Sequence, residues 1–571
     1  MLCFQYAAVS GMSRTPDRIA RIAPYICALI LLMLVATGVA NGADLNQVKI
    51  AQLRQAAAKG DPNAMNKLGK VYTKGNGVAR SYKTAMVWFQ KAAAKGDVDA
   101  MNNIGMLYCY GHGVRQDYAR AMMWLRKAVS NGNATAMNNI GTFYALGYGT
   151  HQDYRQAMTW YCKAADKGNV DAMDQIGALY AHGQGVLRNY GMAMTWWLKA
   201  AAKGNANAMY LISWLYNWGH GVLRNYGQEM AWLRKAAARG NAQAMNGIGD
   251  LYANGHGVPQ DYRQAMIWYR KAAATGSASA MANIGSLYFY GHGVRQEYGK
   301  ALVWLRKAAA AGNAGGMDLI GMIYYKGEGV PQNYGKAIGW FRKAAAKDNV
   351  DAMTIIGTLY SEGHGVPVNY GKAMAWLRKA AARGSVGAMK LIGAFYYAGK
   401  GVPQDSDQAV RWFRQAAVKG DVQAMTTLGM LYTHGRGVKQ DSRRALIWFR
   451  KAAHAGSAEA MFCIGAFYDA GLGVRRDYSR AMAWLRKGAA KGSTAAMYNI
   501  GMLYYRGQGV PQNYIKAMAW WRKAAAHGNA DAMHYIGSLY ALGDGVSRSD
   551  SKAMAWFRKA AIAGYRSSTI R

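Results

Sequence analysis

Five histidines, His112, His220, His256, His292 and His364, occupy the same phase of a recurring Gly-x-Gly segment. Imidazoles in register are what a shared metal site would use, but zinc holds its ligands about 2 Å away. Neighbouring helical repeats pack on the order of 10 Å apart, so histidines of successive repeats do not reach one ion. They read as turn residues. The five cysteines, Cys3, Cys27, Cys109, Cys162 and Cys463, share no phase and give neither a disulfide framework nor a metal spacing. Gly393-Ala-Phe-Tyr-Tyr-Ala-Gly399-Lys400-Gly401 comes near a phosphate-binding loop. Its gap is one residue too long, and Gly stands where Ser or Thr is needed. No carboxylate pair, nucleophile–base pair or cofactor motif stands out. The catalytic, metal and cofactor assignments are therefore none.

The abundant chemistry is positive charge. Seventy Lys and Arg face 29 Asp and Glu, a formal net charge of +41. Such an excess favours acidic partners, whether an anionic cell envelope, acidic proteins or nucleic acid. The bases are phased: Lys fills the Lys127 position in thirteen of fourteen copies of a repeat, with Gln415 the exception, and Arg fills the Arg126 position in eleven. Many copies add a base at the Arg120 position. Rows of this kind are solvated faces that favour helix C-termini, or surfaces that attract a partner. Trp and Tyr alternate with the bases, as in nucleic-acid binders, but their strict phase fits core packing. Nucleic acid is disfavoured.

The elements carrying these rows repeat every 36 residues. Met recurs from 65 to 533, Tyr from 72 to 540 and Trp from 88 to 556, fourteen times each, with no insertion or deletion across 61–564. In the copy beginning at Asp97, an Asp caps a helix. Ala100, Met101, Ile104, Gly105 and Tyr108 then form one helical stripe. Gly105 lets another helix approach, and Gly111-His112-Gly113 ends the helix. Val114 follows as a plug of the turn. Asp117 caps a second helix, with Tyr118, Ala121, Met122, Leu125 and Ala128 on its stripe, and Gly132 closes it. A hairpin with apolar surface on both sides cannot bury it alone, so copies must stack. The fold class is all-α, an α/α superhelical solenoid of fourteen 36-residue helical hairpins.

Ahead of the repeats, Arg14, Arg18 and Arg21 precede an apolar run from Ile22 to Ala40 and the small residues Ala40-Asn41-Gly42-Ala43. This is the layout of a secretory signal, and the run is also nearly long enough to anchor the chain in a bilayer. The expected organisation is a signal peptide or N-terminal anchor over 1–43, a half-hairpin cap over 44–60, fourteen repeats over 61–564 and a C-terminal tail over 565–571. Cleavage places the mature N-terminus between Asn41 and Asp44, and either outcome puts the repeats outside the cytoplasm, in the periplasm or secreted.

The pattern A-x-A-M-x-x-I-G-x-x-Y-x-x-G-x-G-V-x-x-D-Y-x-x-A-x-x-W-x-x-K-A-A-x-x-G resembles the Sel1-like repeat family, relatives of tetratricopeptide repeats, over 61–564. The resemblance implies a right-handed superhelix serving as an adaptor, of a type often exported by bacteria. Some cysteine-rich relatives carry a disulfide in each repeat and are linked to penicillin binding; the cysteines are missing here, so that activity does not carry over. In the family the first helix of each hairpin lines the inner curve. That places Asn102, Asn103, Met106, Asn138, Asn139, Asn246, Asn283, Tyr498, Asn499, His534 and Tyr535 on a groove, where amides could bond the main chain of an extended peptide. Copy 205–240 breaks several rules, with Ser213 for Gly, Glu229 for Ala, and the added Trp214 and Trp218. Trp214, Trp218 and Tyr210 are therefore candidate partner anchors. Glu229 must reach water or a basic partner.

The function expected is an exported, non-catalytic scaffold with protein or peptide partners, and anionic envelope material as a further partner. The alternatives are an exported β-lactam-binding or hydrolytic enzyme, and a polyanion or nucleic-acid binder. Membrane attachment would run only through an uncleaved N-terminal segment.

Overall fold

A computed structural model describes residues 42–565. The expected signal or anchor and nearly all of the expected tail lie outside the described residues. Among the described residues there are 29 helices and no strand. A helix over Gly42–Ala58 is followed by hairpins numbered here from copy 1 (61–96) to copy 14 (529–564). The chain divides into two compact units, Met1–Ser277 and Ala278–Arg571. Within each unit, the two helices of a hairpin pack on each other, and the second packs on the first helix of the next copy.

Copy 2 shows why each hairpin forms. Asp97 accepts a hydrogen bond from the Ala100 N–H and starts the helix Val98–Tyr110. Gly111, at φ +69°, ends it. The Asp117 N–H then donates to the Tyr108 carbonyl and folds the turn back, while the Asp117 carboxylate accepts from the Arg120 N–H and opens the helix Tyr118–Ser130.

Two glycines per copy answer to space. At Gly105, a Cβ would meet Leu125 of the paired helix at 3.0 Å, and at Gly177 the Trp197 ring at 2.4 Å. At Gly113 it would meet Tyr82 of the preceding copy at 2.7 Å, at φ +73°. The first closes the hairpin and the second seats one hairpin on the next. The alanines at the Ala100 and Ala121 positions are fully buried. At 348 the closing glycine is replaced, and Asp348 adopts φ +61° in its place.

Candidate interaction surfaces

Some of the amides expected to face a groove are bonded from copy to copy. Asn103 Nδ2 donates to Asn66 Oδ1 (2.9 Å), Asn66 Nδ2 to Asp97 Oδ1 (3.0 Å) and Asn139 Nδ2 to Asn102 Oδ1 (2.8 Å). Each of these joins two successive copies. Asn102 is buried, and Asn103, Met106, Asn138, Asn139 and Asn283 are half-buried. Asn246 Nδ2 donates to Asp250 Oδ2 (2.9 Å), and Asn499 Nδ2 to the Ala495 carbonyl (2.9 Å). In copies 1–3, Asn102, Asn103 and Asn139 are thus engaged between copies, while Asn246 and Asn499 bond within their own helices. The groups left on this face are those not engaged in the ladder, such as Thr142 and Tyr210, both half-buried.

Copy 5 separates its two tryptophans. Trp214 is half-buried against Tyr190 and His220, whose rings stack on each other at 4.6 Å and 6°. It is a packing residue of the 4–5 interface rather than a free anchor. Trp218 is 59% exposed at the hairpin turn. Ser213 turns its hydroxyl onto the Tyr210 carbonyl. Glu229 makes no ion pair among the described residues. It is buried, accepts from Asn217 Nδ2 at 2.8 Å, and leaves Oε2 without a hydrogen bond. Burial pushes its carboxyl above the usual range. Asp250, which accepts from Tyr269 OH at 2.7 Å, is pushed up to about 6 by the same cause.

The turn histidines have a structural role that sequence reasoning missed. His112 stacks on Tyr82 (4.4 Å), His220 on Tyr190, His256 on Tyr226 (4.7 Å) and His364 on Tyr334 (4.7 Å), each on the preceding copy. His and Tyr lie 30 residues apart, so only the stacking register could have revealed the pairing. Among the described residues no three His, Cys, Asp or Glu side chains come together as a metal site would need.

The basic rows are engaged with aromatic rings. In thirteen copies the Lys of the Lys127 position lies over the Trp one turn earlier, at 4.8 Å for Lys127 on Trp124 and 4.1 Å for Lys235 on Trp232. Copy 10, with Gln415, lacks the cation. The signal was available in sequence, since residues three apart share a helix face. The Arg row reaches forward: Arg342 donates to Tyr360 OH of the next copy at 2.7 Å, and Arg450 to Tyr468 OH at 3.2 Å. The third base lies over the same tyrosines, as Lys336 does on Tyr324 at 5.5 Å. These are cation–π distances.

In copies 13 and 14, Tyr498, Tyr505, Trp521, Tyr535 and His534 form one aromatic cluster, with Trp521–Tyr535 at 5.0 Å and Tyr498–Tyr535 at 6.0 Å. The sequence-predicted Tyr498, His534 and Tyr535 thus come together, half-buried on the first-helix face. His534 also stacks on Tyr565 at 4.1 Å.

Comparison with known proteins agrees with this architecture. The Sel1 repeat matches the chain fourteen times, from residues 62–97 to 530–565. A crystal structure of a protective antigen present in uropathogenic Escherichia coli strains, described as displaying an SLR fold, is 30% identical with a TM-score of 0.51. It covers 91% of this chain and 99% of its own. A Sel1 repeat protein from Oxalobacter formigenes is 33% identical over 52% of this chain and 88% of its own, with a TM-score of 0.45. Among curated proteins, none matches.

Proposed function

Because the chain belongs to the Sel1 repeat family, whose solenoid fold typically mediates protein–protein interaction, we propose that it is an exported, non-catalytic scaffold that binds protein partners along its first-helix face. The observation that carries the reading is the variation of that face. The Met, Tyr and Trp phases of the hairpin recur in all fourteen copies, while side chains one, two and five positions after each Met change from copy to copy, from Asn138 and Asn139 to Tyr210 and Trp214, and on to Tyr498, Asn499, His534 and Tyr535. A binding surface needs local identity on a constant frame, and this face supplies it. The basic excess supports a second role, holding the scaffold against anionic envelope material. Export rests on the leader of residues 1–43, and the description of the Escherichia coli relative as a protective antigen supports it.

Photo-crosslinking in the native envelope tests the scaffold reading. A crosslinking side chain at Tyr210 or Tyr498 should capture a defined protein, and one at the second-helix position Arg126 should not. Equal capture from both faces, or turnover of a β-lactam by the purified chain, would overturn it.

A further inference from the structure

The turn edge of copies 4 and 5 departs from the rest of the array at several positions together. Directly after the loop valine, copies 4 and 5 carry Leu187 and Leu223, where five other copies carry Pro. These leucines are 92% and 91% exposed. Trp218, at the end of the first helix of copy 5 and five residues before Leu223, is 59% exposed. Aliphatic side chains left this open contribute almost nothing to the fold, and it is their recurrence on one turn edge together with Trp218, rather than either alone, that marks a surface site. Because the two leucines hold the same position in stacked copies, they stand on the order of 10 Å apart along one edge.

The next residue is Arg in both copies, Arg188 and Arg224, where eight copies carry Gln. The Gln closes the turn, as Gln116 Nε2 does on the Cys109 carbonyl at 2.8 Å. Arg224 closes it equally, with Nε on the Asn217 carbonyl at 2.7 Å, and its guanidinium lies 5.3 Å from the Tyr226 ring. The exchange keeps the structural bond and adds a positive charge at the edge. From residue 175 to 249 there are seven bases, Arg188, Lys199, Lys203, Arg224, Arg234, Lys235 and Arg239, and one acid, Glu229, which is buried. This stretch therefore sets no exposed carboxylate against an anionic partner.

We propose that the turn edge of copies 4 and 5 docks on an anionic lipid bilayer, Leu187, Leu223 and Trp218 entering its interfacial layer and Arg188 and Arg224 meeting lipid phosphates. Leu and Trp on one side with Arg beside them is the composition that interfacial binding favours. A stable protein interface buries about 800 Å² on each partner, more than three side chains on a turn edge offer, whereas a bilayer accepts protruding side chains without a matching groove. The inference rests on the anionic-envelope part of the proposed function and leaves the protein-binding face untouched.

Flotation of the full chain with phosphatidylcholine vesicles, with and without phosphatidylglycerol, tests it. The parent should float with the anionic vesicles and not with the neutral ones. Leu187→Gln with Leu223→Gln, folded by circular dichroism, should weaken that binding by about tenfold, and Arg188→Gln with Arg224→Gln should remove its salt-sensitive part. All variants keep the same N-terminus, so differences between them report the edge alone. The proposal is overturned if the parent does not bind anionic vesicles, or if the leucine variant binds them within about twofold of the parent. It is also overturned if a soluble acidic, leucine-bearing peptide, rather than the vesicles, binds in a Leu187- and Leu223-dependent way. The crosslinking result at Tyr210 and Tyr498 stands apart from all three outcomes.

Discussion

Asparagine side chains and ring stacks join many copies of the N-terminal unit, whereas an arginine–tyrosine bond recurs at the interfaces of the C-terminal unit. In the first, amide bonds link copies 1 to 3, Asn207 Nδ2 donates to Asp174 Oδ2 at 2.7 Å, and four ring stacks seat Gly-x-Gly turns on the preceding tyrosine. In the second, every interface from copies 7–8 to 13–14 carries an Arg-to-Tyr hydroxyl bond, from Arg306–Tyr324 to Arg522–Tyr540. The N-terminal unit has the equivalent bond at Arg54–Tyr72; positions 90, 162 and 198 hold Gln, Cys and Leu, and positions 126, 234 and 270 hold Arg. One apolar frame thus tolerates two kinds of polar fastening. Packing dictates the fold, and the fastenings set what a polar substitution costs at each interface.

The largest effect should come from the shared frame. A Cβ at Gly321 would meet the Phe341 ring at 2.6 Å, so Gly321→Val should cost about 2–3 kcal/mol. In a nearest-neighbour array the damage stays local. Hydrogen exchange should show copies 7–9 deprotected and copies 1–4 unchanged; uniform loss would mean that the two units do not differ in any independent sense.

Next comes a half-buried acid of the N-terminal unit. Asp250, pushed up to about 6 by burial, holds its proton more tightly folded than unfolded. Its contribution is therefore present below about pH 4 and is lost as pH rises to about 6. Asp250→Asn should add roughly 2 kcal/mol at pH 7 and little at pH 4. Glu229→Gln should act in the same direction while keeping an acceptor for Asn217. Denaturant melts at the two pH values decide this, and a destabilised Asp250→Asn at pH 7 would contradict it.

The fastening itself is worth less. Arg450→Gln removes the bond to Tyr468 and should cost about 1 kcal/mol, and Gln90→Arg, placing an arginine opposite Tyr108, should gain a few tenths. Equal and negligible effects in denaturant melts would erase the contrast between units. The smallest change is expected at copy 10, where Gln415→Lys restores the missing cation over Trp412 and should add about 0.5 kcal/mol.

The hairpin frame was legible because its signals are local. Caps such as Asp97 and Asp117, stops such as Gly111 and the stripe through Met101, Ile104 and Tyr108 all lie within one copy. Contacts between copies were not. Asn139 reaches Asn102 across 37 residues and His112 reaches Tyr82 across 30, and both depend on how one hairpin slides on the next. For that reason Asn102 read as a groove residue and is buried, and Trp214 read as an anchor and packs on Tyr190. Trp218 read as a candidate anchor and is exposed, because the end of a helix at a turn leaves little to cover it. The aromatic face of Tyr498 and Tyr535 was foreseen as residues but not as one cluster, which needs Trp521 from the second helix between them.

That desolvated carboxylates set the pH response of individual copies on a shared apolar frame is tested most directly by peptide-resolved hydrogen exchange of the unaltered chain at pH 5 and pH 7.5, corrected for intrinsic exchange. Copies 5 and 6, with Glu229 and Asp250, should be better protected at the lower pH. Copies 9–11, whose one buried polar side chain is Thr426, should change little. Equal shifts in both regions, or greater protection of copies 5 and 6 at pH 7.5, would contradict it.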